Sequence, residues 1–204
     1  MSRRITALDE EFDQLFGRFR YTAFRLETLQ RYDVPYEVEQ IRRFLAGEDP
    51  LEDSDNPAKN HWLGMLRESR DAGKRVQRVH VIEEPLSDYI RFELAWPYQE
   101  TVSAGEDVRL ISVRRGQWPS DLPRHDYWLF DSRELVVMQY NTAGTFLAAD
   151  FVDDPAEIVK HNYWRDAALY GAVPYGAVPY GEYVEARGEE ASAAVAFPRS
   201  RSLR

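Results

Sequence analysis

The residues with the clearest chemical potential lie in the segment RVHVIEEPLSDYIRFE, residues 78–93. Arg78 and His80 share one side of a predicted strand, because side chains along a strand alternate between its two faces. Glu93 falls within the apolar arc of the helix predicted to follow. Burying an unpaired carboxylate costs several kcal/mol, so such a group needs a partner. We therefore predict that Glu93 is buried and bonded to Arg78 or His80.

This cluster has two interpretations that the sequence leaves open. A buried carboxylate beside a histidine can perform general acid–base chemistry, in which Arg78 or Arg91 would stabilise a phosphate. The same side chains can instead form a structural ion pair that fixes how the helix packs on the strand. We adopt the structural interpretation and assign no catalytic residue, so Arg78, His80, Glu93 and Arg91 stay candidates.

The sequence motifs of several large enzyme families are missing from the chain. It contains no GxxxxGK[ST] or GxGxxG phosphate loop and no GxSxG nucleophile elbow, and Ser87 is interpreted as a helix cap. The chain has no cysteine, and its histidines lack zinc-binding spacing. We therefore expect no metal site and no cofactor. The histidines are His61, His80, His125 and His161.

Two further groups of side chains are candidates for binding. Trp96, Tyr98 and Trp128 are candidate walls of a small-molecule pocket. Several arginines and Trp118 are candidates for a local nucleic-acid patch, the alternative being a solvated surface paired with acids. The formal net charge of -9 argues against a grip on nucleic acid by the whole protein. The arginines are Arg75, Arg109, Arg114, Arg115 and Arg124.

The elements around these residues follow from periodicity and capping signals. They run helix, strand, two helices, strand, helix and strand, then three short strands and a last helix. In PLSDYIRFELAW, Pro85 is placed in the first turn of its helix and Ala95 on the solvent side. Residues 142–144 predict a hairpin, and Asp154 an N-cap. We predict an α/β (α+β) fold with a mixed sheet flanked by helices and a C-terminal antiparallel meander followed by a helix.

The chain divides into three predicted parts. Residues 1–23 carry an amphipathic helix whose apolar stripe packs on its own domain or on a partner, and we favour the first. Residues 24–175 form a single α/β domain, for which the hydrophobic content of 44% suffices. Residues 176–204, which begin within the repeat GAVPYGAVPYG, form an extended connector and a flexible tail. The stripe consists of Leu8, Phe12, Leu15, Phe16 and Phe19.

The order and spacing of several segments resemble an uncharacterised actinobacterial family, a domain of unknown function. Members of that family are often encoded beside Xre-type helix-turn-helix regulators and small companion proteins. The resemblance implies a regulatory or toxin–antitoxin-like module, and it carries over no catalytic residue. The segments, which lie between Phe24 and Tyr175, are FRLETLQRYDVPYE, RVHVIEEPLSDYIRFEL, AGEDVRL, DYWLFDSRELVVMQYNTAGTFLAADFVDDPAEI and WRDAALYGAVPY.

The C-terminal half, from WLFDSRELVV to HNYWRDA, also resembles the closing strands and helix of a phospholipase D-like module. The HxKxxxxD motif of that family is missing, because His161 is followed by Asn162 and Tyr163 with no lysine in place. The resemblance therefore implies a sensing or scaffolding role without the hydrolase chemistry.

These observations lead to an expected class of function. We expect a non-enzymatic regulatory or interaction protein that acts with a helix-turn-helix DNA-binding partner. The alternatives are a small nuclease-like toxin that uses His80 and Glu93, and a small-molecule-sensing domain. The N-terminus has no apolar run of signal-peptide length, and the chain has no run of about eighteen apolar residues. We therefore expect a cytoplasmic protein without membrane contact.

Overall fold

The computed structural model describes residues 3–7, 10–51 and 56–177. Within these residues, eight strands form one mixed sheet in the order β1-β7-β6-β5-β2-β3-β4-β8. The predicted mixed sheet is therefore confirmed. The strands are β1 (Arg3–Ile5), β2 (Thr22–Glu27), β3 (Arg75–Glu84), β4 (Glu106–Arg114), β5 (Asp126–Phe130), β6 (Glu134–Tyr140), β7 (Phe146–Val152) and β8 (Val173–Pro174).

Helices cover both faces of the sheet. Side chains of α1 and α3 pack with β5 and β6 on one face, where α2, α4 and α5 pack beside β3 and β4. The helix α6 packs on the opposite face against β2, β4 and β6. The helices are α1 (Glu10–Arg18), α2 (Val38–Ala46), α3 (Pro57–Asp71), α4 (Asp88–Ala95), α5 (Pro97–Ala104) and α6 (Pro155–Gly171).

Strand directions change at the centre of the sheet. The strands β2, β3 and β4 are parallel, whereas β5 pairs antiparallel with β2 and begins the predicted meander β5-β6-β7. In β2, Phe24 and Leu26 face α6, so the alternation of side chains turns Arg25 to the other face. There Arg25 lies opposite Arg78 of β3 and Trp128 of β5, which brings two guanidinium groups together below α1 and α3.

Local capping signals explain several helix boundaries. The helix α2 ends at Gly47 with φ 76, and Asp154 caps α6 through its side chain. The interpretation of Ser87 as a cap is confirmed, because its hydroxyl accepts the Ile90 N–H at the start of α4. The placement of Pro85 inside that helix was wrong, since Pro85 precedes the cap.

Two features of this region differ from the prediction. The helix α5, which begins at Pro97 directly after α4, was not predicted. Ala95 is buried and not solvent-facing, because α5 and α2 cover the side of α4 that an isolated helical wheel leaves open. Tertiary packing therefore decides what is exposed on this short helix.

The N-terminal helix packs on its own sheet, as favoured from the sequence. Phe12, Leu15 and Phe19 are buried in a cluster that includes Trp128 and Phe130 of β5. No helix in the described part of the chain is long and apolar enough to cross a membrane. Most of the predicted connector and tail, residues 178–204, lies outside the described residues.

Candidate ligand-binding cavity

A cavity of about 450 Å³ lies between one face of the sheet and the helices α1, α3 and α4 that cover this face. This volume is in the range of small-molecule sites. Its walls combine aromatic rings with charged groups of both signs. The aromatic residues are Phe12, Phe16, Tyr32, Tyr36, Trp62, Tyr89, Trp128, Tyr140 and Phe146. The charged residues are Asp13, Glu27, Asp33, Glu37 and Glu93, with Arg25 and Arg78.

The two arginines on the cavity floor are held by carboxylates from neighbouring strands. Arg78 Nη1 donates to Glu27 Oε1 at 2.8 Å, and its Nε donates to Glu106 Oε1 at 2.9 Å. Arg25 Nε forms an ion pair with the same Glu27 oxygen at 2.8 Å, and its Nη2 donates to the Tyr140 hydroxyl at 3.2 Å. Both guanidinium charges are therefore balanced without a ligand.

Glu27 is the centre of this network. Burial of Glu27 acts to raise its pKa, but the adjacent guanidinium groups of Arg78 and Arg25 outweigh burial and lower the pKa to about 2. Glu27 is therefore ionised at neutral pH. It follows that the floor of the cavity is a fixed ion network that stays charged across the physiological range.

A pair of carboxyl groups, Glu37 and Glu93, lies on the wall formed by α4 and the short 3-10 turn before α2. The Tyr89 hydroxyl oxygen is 3.0 Å from Glu37 Oε2 and 2.9 Å from Glu93 Oε1. A hydroxyl carries one proton, so Tyr89 can donate to only one of these oxygens. The other contact is a hydrogen bond only if that carboxyl carries a proton and donates it to Tyr89.

The surroundings of this pair favour such a proton. Burial, together with the charge of Glu27, raises the pKa of Glu37 to about 7. Burial also raises the pKa of Glu93 well above its usual value, and the neighbouring carboxyls Glu37 and Glu27 add to this effect. The pair thus differs from Glu27 of the same cavity. Glu27 is ionised at neutral pH, whereas the raised pKa values of Glu37 and Glu93 favour a proton on one of these two carboxyls.

The burial predicted for Glu93 is confirmed, but its predicted partner was wrong. Glu93 is 6% exposed and bonds to Tyr89, one helical turn away, while Arg78 bonds to Glu27. Arg78 and Glu93 nevertheless line one cavity. Arg91 lies elsewhere on α4 and pairs with Asp88.

His80 lies in the interior beside Glu27, its neighbour in the register of β2 and β3, and its Nδ1 is 3.5 Å from Glu27 Oε2. It is fully buried, and its Nε2–H donates to the Leu29 carbonyl at 2.7 Å. Its Nδ1 is 2.6 Å from the Tyr98 hydroxyl oxygen, and the same hydroxyl lies 3.1 Å from Glu27 Oε2. The single Tyr98 proton can serve only one of these two acceptors. Burial lowers the pKa of His80, which fits the neutral form with one donor and one acceptor nitrogen. Both ring nitrogens are therefore occupied.

The three aromatic candidates occupy different places. Trp128 lines the cavity, and Tyr98 lies beneath it with His80. Trp96 lines a smaller neighbouring cavity of about 80 Å³, which shares Glu37 and Trp62 with the larger one. The Trp128 ring is 2% exposed, and its Nε1 has no hydrogen-bond partner within the described ranges. A buried donor of this kind can bind an acceptor on a ligand.

The candidate arginine patch is split by the sheet. Arg75 begins β3 and Arg114 ends β4, and because these strands are parallel the two residues lie at opposite ends of the pair. Arg109 pairs with Asp107 on its own strand, and Arg124 packs over the Trp118 ring at 5.3 Å. The structure therefore brings Arg124 to Trp118 but does not collect the six residues on one surface.

Two histidines that the sequence did not connect meet on the other face of the sheet. His125 Nε2 and His161 Nε2 are 3.1 Å apart, and Trp164 packs against both rings. Burial and the charges of His161 and Lys160 lower the pKa of His125 to about 4. Burial also lowers the pKa of His161, so the two rings form a neutral hydrogen-bonded contact at neutral pH. In the described ranges no group of three metal-ligating side chains occurs.

The fold and the cavity define a class: an α/β protein with one mixed sheet, helices on both faces and a charged, aromatic cavity on one of them. The chain belongs to the family described as Domain of unknown function (DUF6879), whose family model matches residues 10–184. This match includes every element that lines the cavity and confirms the expectation of a domain-of-unknown-function family. No curated protein matches the chain significantly.

Proposed function

We propose that the protein is a small-molecule-sensing regulatory domain without catalytic activity of its own. The observation that carries this proposal is the cavity of about 450 Å³, whose charged floor is already neutralised and whose walls are aromatic. A preorganised site of this kind can bind a ligand without ordering its own side chains, which favours affinity. A sensing domain needs such a site together with a surface that contacts a partner.

The sensing proposal is tested by filling the cavity. Val34 lines it, so Val34→Trp is expected to occlude the site, whereas Val38→Trp adds the same bulk at a position 61% exposed. Thermal melts of both variants and the wild-type protein are recorded with a panel of small molecules. Compounds should raise the Tm of the wild-type protein and Val38→Trp but not of Val34→Trp. A panel that stabilises none of the three proteins would argue against sensing.

The proposed partner is a helix-turn-helix DNA-binding protein, as the family resemblance implies. An exposed apolar stripe on α6 supports a contact surface: Val159, Tyr163 and Tyr170 are 69%, 62% and 96% exposed and share one face by helical spacing. A tagged copy is expected to retain such a regulator from native lysate. The double variant Tyr163→Ser/Tyr170→Ser should lose it, and Tyr21→Ser, at an exposed tyrosine outside α6, should not.

The alternative proposal is a small nuclease-like toxin in which His80 and Glu93 act on a phosphodiester. It requires His80 to reach a substrate, although both ring nitrogens are occupied in the interior. Expression in a bacterial host separates the two proposals. Growth arrest that His80→Ala relieves would favour the toxin, and unimpaired growth would favour the sensing domain.

A further inference from the structure

We propose that the cavity binds an organic cation, an amine or a guanidine, whose charged group lies between Glu37 and Glu93 and whose oxygen acceptor bonds to Trp128 Nε1. The inference rests on the proposed sensing function and names the class of ligand. It follows from three features of the cavity: a carboxyl pair without a basic partner in the described residues, aromatic walls, and an indole N–H that has no hydrogen-bond partner there.

The first feature is the balance of charge. Five carboxyl side chains and two guanidinium groups line the cavity. Arg25 and Arg78 are both bound to Glu27. Within the described part of the chain, neither Glu37 nor Glu93 has a basic side chain at ion-pair distance, and both lie instead at hydrogen-bond distance from the single Tyr89 hydroxyl. A cationic group is the complement that this wall lacks.

The second feature is a cluster of aromatic rings that reaches from α1 and α3 to β5 of the sheet. The Phe16 ring packs edge-on against Trp62 at 5.5 Å and against Trp128 at 5.0 Å, and the two indoles are 6.0 Å apart. Aromatic faces attract cations, and Arg25 already lies 5.3 Å from the Trp128 ring centre. The carboxyl groups that line the cavity outnumber its guanidinium groups and would repel an anionic ligand. The carboxyl groups and the aromatic rings together therefore favour a cation.

The third feature is the Trp128 indole. Its Nε1–H is buried without a partner in the described residues, although buried donors are nearly always bonded. An oxygen acceptor on the ligand would satisfy it. The ligand therefore combines a cationic nitrogen with an acceptor on an apolar body.

Binding of a cation is expected to release a proton. The shared proton at Tyr89 compensates the Glu37–Glu93 pair while the cavity is empty, and a cation makes it unnecessary. Entry of the cation therefore ionises the second carboxyl, and affinity should increase as pH rises through neutrality. The charged and titratable groups that line the large cavity with the pair are Asp13, Arg25, Glu27, Tyr32, Asp33, Tyr36, His61, Arg78, Tyr89 and Tyr140. Lys59 lines the smaller cavity with Glu37, but its ammonium group is paired with Glu100.

Three probes of equal size test the inference: protonated 4-methoxybenzylamine, neutral 4-methoxybenzyl alcohol and anionic 4-methoxybenzoate. Calorimetry in two buffers of different ionisation enthalpy measures affinity and proton release together. The amine should bind at least about tenfold more tightly than the alcohol, since charge-assisted bonds are about twice as strong as neutral ones. The double variant Glu37→Gln/Glu93→Gln should lose this preference and the proton release.

The control is Glu39→Gln, which removes an exposed carboxylate of α2 and should bind as the wild-type protein does. Equal binding of alcohol or benzoate, or amine binding that survives in the double variant, would overturn the cation and leave the cavity a ligand site. Failure of all three probes at about millimolar concentration, a threshold set by the efficiency of small ligands, would overturn the sensing function as well.

Discussion

Buried charge in this protein is organised in two different ways within one cavity. Glu27 is ionised between two guanidinium groups, and this arrangement needs nothing from outside. The Glu37–Glu93 pair instead contacts the single Tyr89 hydroxyl, and the raised pKa values of both carboxyls favour a proton on this pair. A fixed network supplies structure, whereas a pair that holds a removable proton can respond to a ligand or to pH.

Removal of Glu27 should be strongly destabilising. Glu27→Ala leaves two buried guanidinium charges without their shared carboxylate, so we expect a loss of about 3–5 kcal/mol. Glu39→Ala removes an exposed partner of Arg42 and should cost far less, because exposed ion pairs contribute little to stability. Urea melts at neutral pH compare the two. Because the pKa of Glu27 is lowered to about 2, its contribution to the free energy of unfolding should be complete above the ordinary pKa of 4.5. This contribution should be lost as the pH falls from 4.5 to about 2. Equal losses in both variants would contradict this role.

Replacement of Glu37 should change how stability depends on pH. The pKa of Glu37 is raised to about 7, so above its ordinary value of 4.5 the folded state holds a proton that the unfolded state has released. Raising the pH from about 5 to about 8 should therefore destabilise the wild-type protein relative to Glu37→Gln by about 3 kcal/mol. Urea melts across this range measure the difference, and Glu39→Gln should show no such trend.

At the scale of elements, tight connections hold the rim of the cavity. The hairpin between β6 and β7 turns at Gly144, which has φ 87 and also lines the cavity. Its carbonyl accepts the Asp33 N–H at 3.0 Å, and this bond ties the hairpin to the loop after β2. The glycine is required for two reasons, its left-handed conformation and the close approach of the neighbouring loop.

Substitution of Gly144 should separate these two reasons. An alanine Cβ there would collide with the Arg31 carbonyl oxygen and lie 2.9 Å from Tyr32 Cα, so Gly144→Ala should cost about 3 kcal/mol or more. Gly116→Ala is the matched control, because Gly116 has φ 80 but faces open space, and it should cost about 1 kcal/mol. Chemical denaturation of both variants measures the difference. A loss at Gly144 no larger than at Gly116 would mean that the loop moves freely.

The sequence predicted those elements whose signals are local. The caps at Ser87 and Asp154 and the three short strands of the meander depend on residues near in the chain, and the structure confirms them. The helix α5 was missed although Pro97 and Gly105 mark its ends, because a second helix directly after α4 resembles a continuation.

The cavity was only partly predictable, because its parts come from distant segments. The helical spacing of Tyr89 and Glu93 could have suggested their contact. Arg25 meets Arg78 only through the register of two parallel strands, which periodicity does not fix. Glu37 was missed because it reaches the cavity from the connection between β2 and α2, far in the sequence from Arg78 and Glu93. Long-range packing therefore decided which candidates met.

At the scale of the molecule, the N-terminal segment is part of the layer that covers the cavity. Phe12 and Phe16 of α1 line it, and Leu15 is fully buried below them. β1 pairs with β7 and forms an edge of the sheet. The cavity thus has walls from α1, α3, α4 and the sheet, so its shape depends on elements distant in sequence and not on a local motif.

Two truncations test the division of the chain. Burial of Phe12, Leu15 and Phe19 is worth about 1.5–3 kcal/mol each, a large part of the roughly 5–15 kcal/mol that stabilises a domain. Deletion of residues 1–19 should therefore lower the Tm strongly or abolish cooperative unfolding. Deletion of residues 182–204, which are small, polar and basic toward the end, should leave the Tm nearly unchanged. Circular dichroism melts compare both with the full chain.

If the first deletion were tolerated, residues 1–23 would be a separable appendage, and the cavity would not need α1 as a wall. A large Tm loss in the second would mean that Tyr183, Val184 or Phe197 packs on the core.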